Sequence, residues 1–210
     1  MLRKRIVASL SVLFLGIFLA AVPAVASGSP PAVGSEGLSE QEQVALANKL
    51  FKSILQRRPE NRKELSDIYE EVVTKCPLTK HSAEAAWRLS NIYTYSADTR
   101  YEDAERVLEF LTSKHPKSRW RTPALNRLSY LYNLTKDFSR LADLYSRLFN
   151  EKGSFVHHDL AAHAVLYADA LVALGKTQEA RRILYEVFSG LEDQTTYSAS
   201  AIRKRLETLK

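Results

Sequence analysis

The sequence predicts an all-α fold built from repeated pairs of helices, and three observations carry that prediction. First, a large–small–large motif recurs at a constant offset. The step from Leu89-Ser90 to Leu128-Ser129 equals the step from there to Tyr167-Ala168, and each small residue is followed three positions later by Tyr93, Tyr132 or Leu171. Second, an apolar i, i+4, i+7 stripe follows every copy of the motif, which is the signature of one buried helix face. Third, glycine and proline number only 7 each in 210 residues, few for the tight turns of an all-β chain. With 45% hydrophobic and 26% charged residues the composition is globular, which excludes disorder throughout.

The elements follow in order. Arg3, Lys4 and Arg5 precede an almost unbroken apolar run from Ile6 to Val22, then Pro23 and Ala24-Val25-Ala26. That order of basic, apolar and small-residue segments predicts a secretory signal peptide over 1–26, cleaved before Ser27. The run is also just long enough to serve instead as an N-terminal anchor in the inner membrane. Cleavage implies an exported protein, periplasmic in a Gram-negative source or extracellular otherwise. No cysteine near the cleavage point offers a lipid attachment site. Residues 27–38 are rich in Ser, Gly and Pro without periodicity and read as a flexible linker.

Helical spacing begins near Ser39, so the repeat domain is placed at 39–210. An opening helix from Ser39 to about Gln56 carries Val44, Ala47, Leu50, Phe51 and Ile54 on one face. The second helices carry Leu65/Tyr69/Val72, Ala104/Leu108/Leu111, Leu141/Tyr145/Leu148 and Ala180/Leu184/Val187. In the third of these, Ala142 would serve in place of Leu141 with a one-residue shift. Pro77 and Pro116 end two of the units. A last amphipathic helix with Ile202, Leu206 and Leu209 is expected to cap the array.

The unit made by these residues resembles the tetratricopeptide repeat, two antiparallel helices in about 34 residues. Ser90, Ser129 and Ala168 match the small residue at its first-helix crossing. Ala104, Leu141 and Ala180 match its second-helix crossing, and Gly175 matches its turn glycine. The offset between copies is longer than the family's and implies longer turns around 96–100 and 153–158. The resemblance covers roughly positions 40–190. It implies a right-handed superhelical solenoid of about four pairs plus a capping helix. It is similar to the repeat domains of the Tol–Pal coordinator and of outer-membrane assembly proteins.

Charge argues against nucleic acid as a partner. The whole chain carries +6, and removing Arg3, Lys4 and Arg5 leaves +3, because no acidic residue precedes Glu36. Cys76 is the single cysteine, so no intramolecular disulfide forms, and its apolar neighbours predict a buried thiol. No phosphate loop, nucleophile elbow or Cys–His arrangement is present, and no cofactor is expected. His157, His158 and His163 form the one histidine cluster; it is the basis of the alternative reading, a metal-dependent enzyme, although the spacing does not place all three on one helix face. Asp159 reads as the cap of the helix that follows. The paired carboxylates Glu70-Glu71 and Glu102-Asp103 read as solvated.

The principal expectation is therefore a non-catalytic scaffold binding a segment of another envelope or secreted protein in cell-envelope assembly or maintenance, with an accessory module positioning a cell-wall enzyme as the alternative. In the family, first-helix residues line a concave groove. Carried onto this sequence, that role falls to Trp87, Asn91, Tyr95, Asn126, Arg127, Tyr130, Asn133 and Asp169. Trp87 and Tyr130 suit anchors for an apolar side chain, and each suits packing against the next repeat equally well.

Overall fold

The computed structural model describes residues 37–57, 61–151 and 157–209. The chain divides into units Met1–Gly34 and Ser35–Lys210, and every described element lies in the second. The segment expected to be a signal peptide, and most of the expected linker, lie outside the described residues. Among those described, the elements are all helical: α1 (Glu40–Arg57), α2 (Arg62–Lys75), α3 (Lys80–Tyr95), α4 (Tyr101–Lys114), α5 (Arg121–Leu134), α6 (Phe138–Asn150), α7 (His157–Ala173), α8 (Thr177–Ser189) and α9 (Tyr197–Thr208). Each packs on its neighbours in sequence, and α1 also meets α3 while α7 meets α9. This is a helical-repeat solenoid. None of the described helices is long and apolar enough to cross a membrane.

Local chemistry sets the helix starts. Ser39 and Glu42 form a reciprocal capping box, with the Ser39 N–H donating to Glu42 Oε2 at 2.7 Å. Asn61, Thr79, Asp137 and Thr196 each accept a hydrogen bond from the backbone of the first turn they precede. Helix α7 begins at His157, so Asp159 falls inside its first turn and is not the cap the sequence suggested.

The second helices share one register. Counting from the helix start, the fourth, eighth and eleventh residues are Ala104/Leu108/Leu111 in α4, Leu141/Tyr145/Leu148 in α6 and Ala180/Leu184/Val187 in α8, all buried. Leu65/Tyr69/Val72 hold the same places in α2, with Leu65 partly buried. Leu141 is therefore the crossing residue, and Ala142 is buried beside it. A difference in turn length accounts for the ambiguity between them. Two turns close identically, with Asp137 N–H donating to the Tyr132 carbonyl and Lys176 N–H to that of Leu171. Each holds one left-handed residue at the same place, Lys136 at φ 60° and Gly175 at φ 75°. The turn after Tyr93 is longer, as the sequence implied, and closes from Arg100 N–H to the Tyr93 carbonyl.

A polar clasp repeats with the fold. Tyr93 Oη donates to Glu70 Oε1 at 2.6 Å, and Tyr132 Oη donates to Glu109 Oε1 at 2.7 Å. Both tyrosines and both glutamates are separated by the offset of the repeat. An arginine lies over each ring, Arg100 at 4.4 Å and Arg140 at 4.9 Å. Burial, reinforced by the adjacent carboxylate, pushes both phenols far above their ordinary range, so they remain donors. Glu70 is thus tied down, also by Arg106 at 2.7 Å, and is not the solvated carboxylate expected. The next unit replaces the clasp with Leu148 and Leu171, both buried.

Other buried polar groups join helices across the array. Gln43, 1% exposed, donates to the Leu38 carbonyl and accepts from Leu78 N–H, which fixes α1 against the turn before α3. Tyr145 is fully buried between Ser129 Oγ and His163 Nδ1, the latter at 3.2 Å. Cys76 is a buried free thiol that burial pushes up in pKa, as expected of a small apolar filler.

Removing one clasp hydroxyl leaves Glu109 open to water, so Tyr132→Phe is expected to cost about 1–2 kcal/mol in urea unfolding. Tyr185→Phe, on an exposed ring, should change stability by less than about 0.5 kcal/mol. A second expectation concerns His115, which lies 2.7 Å from Ser82 Oγ with its ring edge-on to Phe110. Burial lowers its pKa, against the opposing pull of a hydrogen bond to the Pro77 backbone. The unfolded chain therefore takes up the proton first, so stability should fall as pH drops below about 6.5. The slope between pH 7 and 5 should flatten in His115→Gln; an unchanged slope would show that His115 does not carry it.

Candidate functional site

Four of the eight residues expected to line a groove meet in one cluster, centred on Arg127 of α5. Its guanidinium lies 5.1 Å from the Trp87 ring centre and 4.7 Å from that of Tyr95, both on α3. Its Nη2 donates to Asn91 Oδ1 at 3.0 Å, and Asn91 Nδ2 donates to the Trp87 carbonyl at 2.9 Å. Arg127 Nη1 is buried with no oxygen acceptor. A planar guanidinium between two aromatic faces meets π density there instead, which explains why the arrangement tolerates an unmatched N–H.

Trp87 is half-buried and stacks on Trp120, with ring centres 5.8 Å apart and planes 17° from parallel. Trp120 closes the 115–120 turn and immediately precedes α5. Trp87 therefore spends its ring on joining one repeat to the next. Trp120 did not emerge from the sequence, because nothing in the helical periodicity marks a turn residue. The available signal was its pairing by type with Trp87, since the chain holds only these two tryptophans.

The remaining candidates divide. Tyr130 is 50% exposed, and Asn126 and Asn133, four and three positions away, are exposed with it, so α5 turns one polar–aromatic face to solvent. Tyr95 is 59% exposed at the end of α3. Asp169 is elsewhere. Its Oδ1 lies 2.6 Å from Arg205 Nε, close enough for an ion pair yet outside hydrogen-bond alignment, so α9 already occupies that position. His163 contacts Tyr145, and the side chains of His157 and His158 lie outside the described residues. No group of three potential metal ligands occurs among the described residues.

The surface of α3 and α5 thus combines a packed base with two exposed phenols and two exposed carboxamides. Phenols supply apolar area with a polar tip, and carboxamides pair with both halves of a peptide group.

No family model matches the chain. A 95-residue stretch is 33% identical to the tetratricopeptide repeat protein 30 homologs of Caenorhabditis briggsae and Caenorhabditis elegans. It takes in 45% and 43% of this chain but only 13% and 14% of those proteins, so the chain spans a small part of their length. In structure the chain is similar to the nearly identical TPR-like repeats assigned to a kinesin light chain of Podosopora anserina. That similarity has a TM-score of 0.52 at 15% identity and covers 79% of this chain and 84% of the other, which bears on fold alone.

Arg127→Ala removes two ring contacts and the Asn91 bond, so a loss of about 1–2 kcal/mol is expected in denaturant unfolding. Arg127→Lys should recover less than half, because a lysine cannot bridge two rings and an amide together. Full recovery by lysine would show that charge alone matters there.

Proposed function

We propose that this chain, a tetratricopeptide-type repeat protein, is a non-catalytic scaffold that holds a segment of a partner protein along the α3–α5 face. The observation that carries the reading is the exposure of Tyr95 and Tyr130 beside a base already locked by Arg127, Trp87 and Asn91. Half-exposed tyrosines lose little side-chain freedom on binding, and a preformed base lowers the ordering cost further. Asn126 and Asn133 would fix the partner's backbone, and Tyr130 would take an apolar side chain.

The partner belongs to the compartment to which residues 1–26 direct the chain. The basic, apolar and Ala24-Val25-Ala26 segments support export, which makes the partner an envelope or secreted protein. Residues 27–38 would then tether the repeats after cleavage.

The test is site-specific photocrosslinking in the native host. A benzophenone amino acid at position 130 is expected to give one adduct of defined mass, lost in an Asn126→Ala background. The same probe at position 185, an exposed tyrosine of α8, should not give it. An adduct of equal yield from both positions would remove the α3–α5 face from the reading. Amino-terminal sequencing of the recovered protein should begin at Ser27; an intact Met1 would contradict cleavage.

A further inference from the structure

A second surface lies at the edge of the same repeats. The first turn of α3 and residues 114–120 enclose an open cleft of about 860 Å³. Its rim carries Lys80, Lys114, Lys117 and Arg119, and its single carboxylate is Glu84. Glu84 is already taken by Arg88 at 2.7 Å, with Arg119 at 3.8 Å. The three lysines are exposed and have no ion pair among the described residues. Elsewhere many cations are matched, as in Lys63–Asp67, Lys75–Glu71 and Arg106–Glu70. Unmatched ammonium groups gathered around one concavity raise the local positive potential and favour an anionic occupant.

The cleft is held open by the fold. Ser82 Oγ and His115 Nε2, 2.7 Å apart, join its two sides. Trp120 forms one wall, stacked on Trp87 behind it and covered by Arg119 at 4.7 Å. The chemistry suits a protein segment better than a polynucleotide. Four cations around a short cleft do not make the extended basic stripe that a phosphate backbone needs, and Ala83, Pro116 and Trp120 offer apolar contact between the charges.

We infer that this cleft docks an acidic segment of a partner protein, with its carboxylates on Lys80, Lys114 and Lys117 and its chain against Trp120. The site is separate from the α3–α5 face, and it stands whether or not that face is occupied.

The chain's only two tryptophans are Trp87 and Trp120, so intrinsic fluorescence reports on this wall. The probe is an unlabelled twelve-residue peptide with six glutamates among glycine and serine, titrated at about 0.15 M ionic strength. A saturable fluorescence change is expected with it and none with the glutamine counterpart. Lys80→Ala/Lys114→Ala/Lys117→Ala should weaken binding about tenfold. Lys176→Ala/Arg182→Ala/Lys204→Ala, with the same change in charge elsewhere, should stay within about twofold. Should the first triple variant melt lower than wild type, Lys117→Glu alone supplies the comparison. No saturable change in wild type, or equal weakening by both triples, overturns the inference. A single-stranded oligonucleotide of equal charge that binds as tightly does the same. Loss of peptide binding in Tyr130→Ala/Asn126→Ala, with the lysine variant intact, would move the acidic segment to the α3–α5 face and leave the scaffold reading standing.

Discussion

No helix pair among the described residues can bury its own apolar face, and that constraint governs everything else. The buried stripe of α4 needs α3 on one side and α5 on the other, and α6 stands likewise between α5 and α7. Close approach at those crossings demands small side chains, which is why Ser90 and Ala168 are fully buried at equivalent places in their repeats and Ser129 nearly so. A larger residue there would push two helices apart and open voids along both neighbours. Stability is consequently shared between repeats, and each unit depends on contacts that only its neighbour supplies.

Apolar stripes alone would allow adjacent helices to slip by a turn. The buried polar contacts oppose that slip because their geometry is directional. A one-turn slide of α3 against α2 would part Tyr93 from Glu70, and the same slide of α5 against α4 would part Tyr132 from Glu109. Gln43 likewise holds α1 against the turn before α3, and the Ser129–Tyr145–His163 contact acts across α5, α6 and α7. Such contacts add little net stability over an apolar pair of equal size, so their main effect is on register. Where the clasp gives way to Leu148 and Leu171, α9 closes the end through Arg205 and Asp169.

The helices, their faces and their approximate limits were legible in the sequence because each depends on a local period. Distant contacts cannot hide an apolar stripe: the fourth, eighth and eleventh residues face one way wherever the helix goes, as Ala104, Leu108 and Leu111 do. Ala142 stayed open beside Leu141 in the sequence, because the turn after Tyr93 is longer than the turns after Tyr132 and Leu171 and so shifts the second helix against the repeat offset. The candidate face was legible only as a set of positions. That Trp87 would be engaged by Trp120, and Asp169 by Arg205, depends on where a turn and a terminal helix come to rest. The lysine-rimmed cleft was hidden for the same reason. Lys80 opens α3 and Lys114 ends α4, and only the antiparallel return of α4 brings the two to one rim.

The two proposed surfaces share a physical base. Contacts run from Trp120 to Trp87, to Arg127 and on to Tyr95, joining the wall of the cleft to the exposed phenol at the end of α3. Every link is a stacked or cation–ring contact between residues that also cement one repeat to the next, so disordering any of them would loosen the array. A base under that obligation stays formed whether or not a ligand is present. Binding on either surface then demands little rearrangement of this chain, and the ordering cost falls on the partner segment. Under the proposed reading, a scaffold for an extended segment gains from such a division, because the surface it offers is already formed by its own packing.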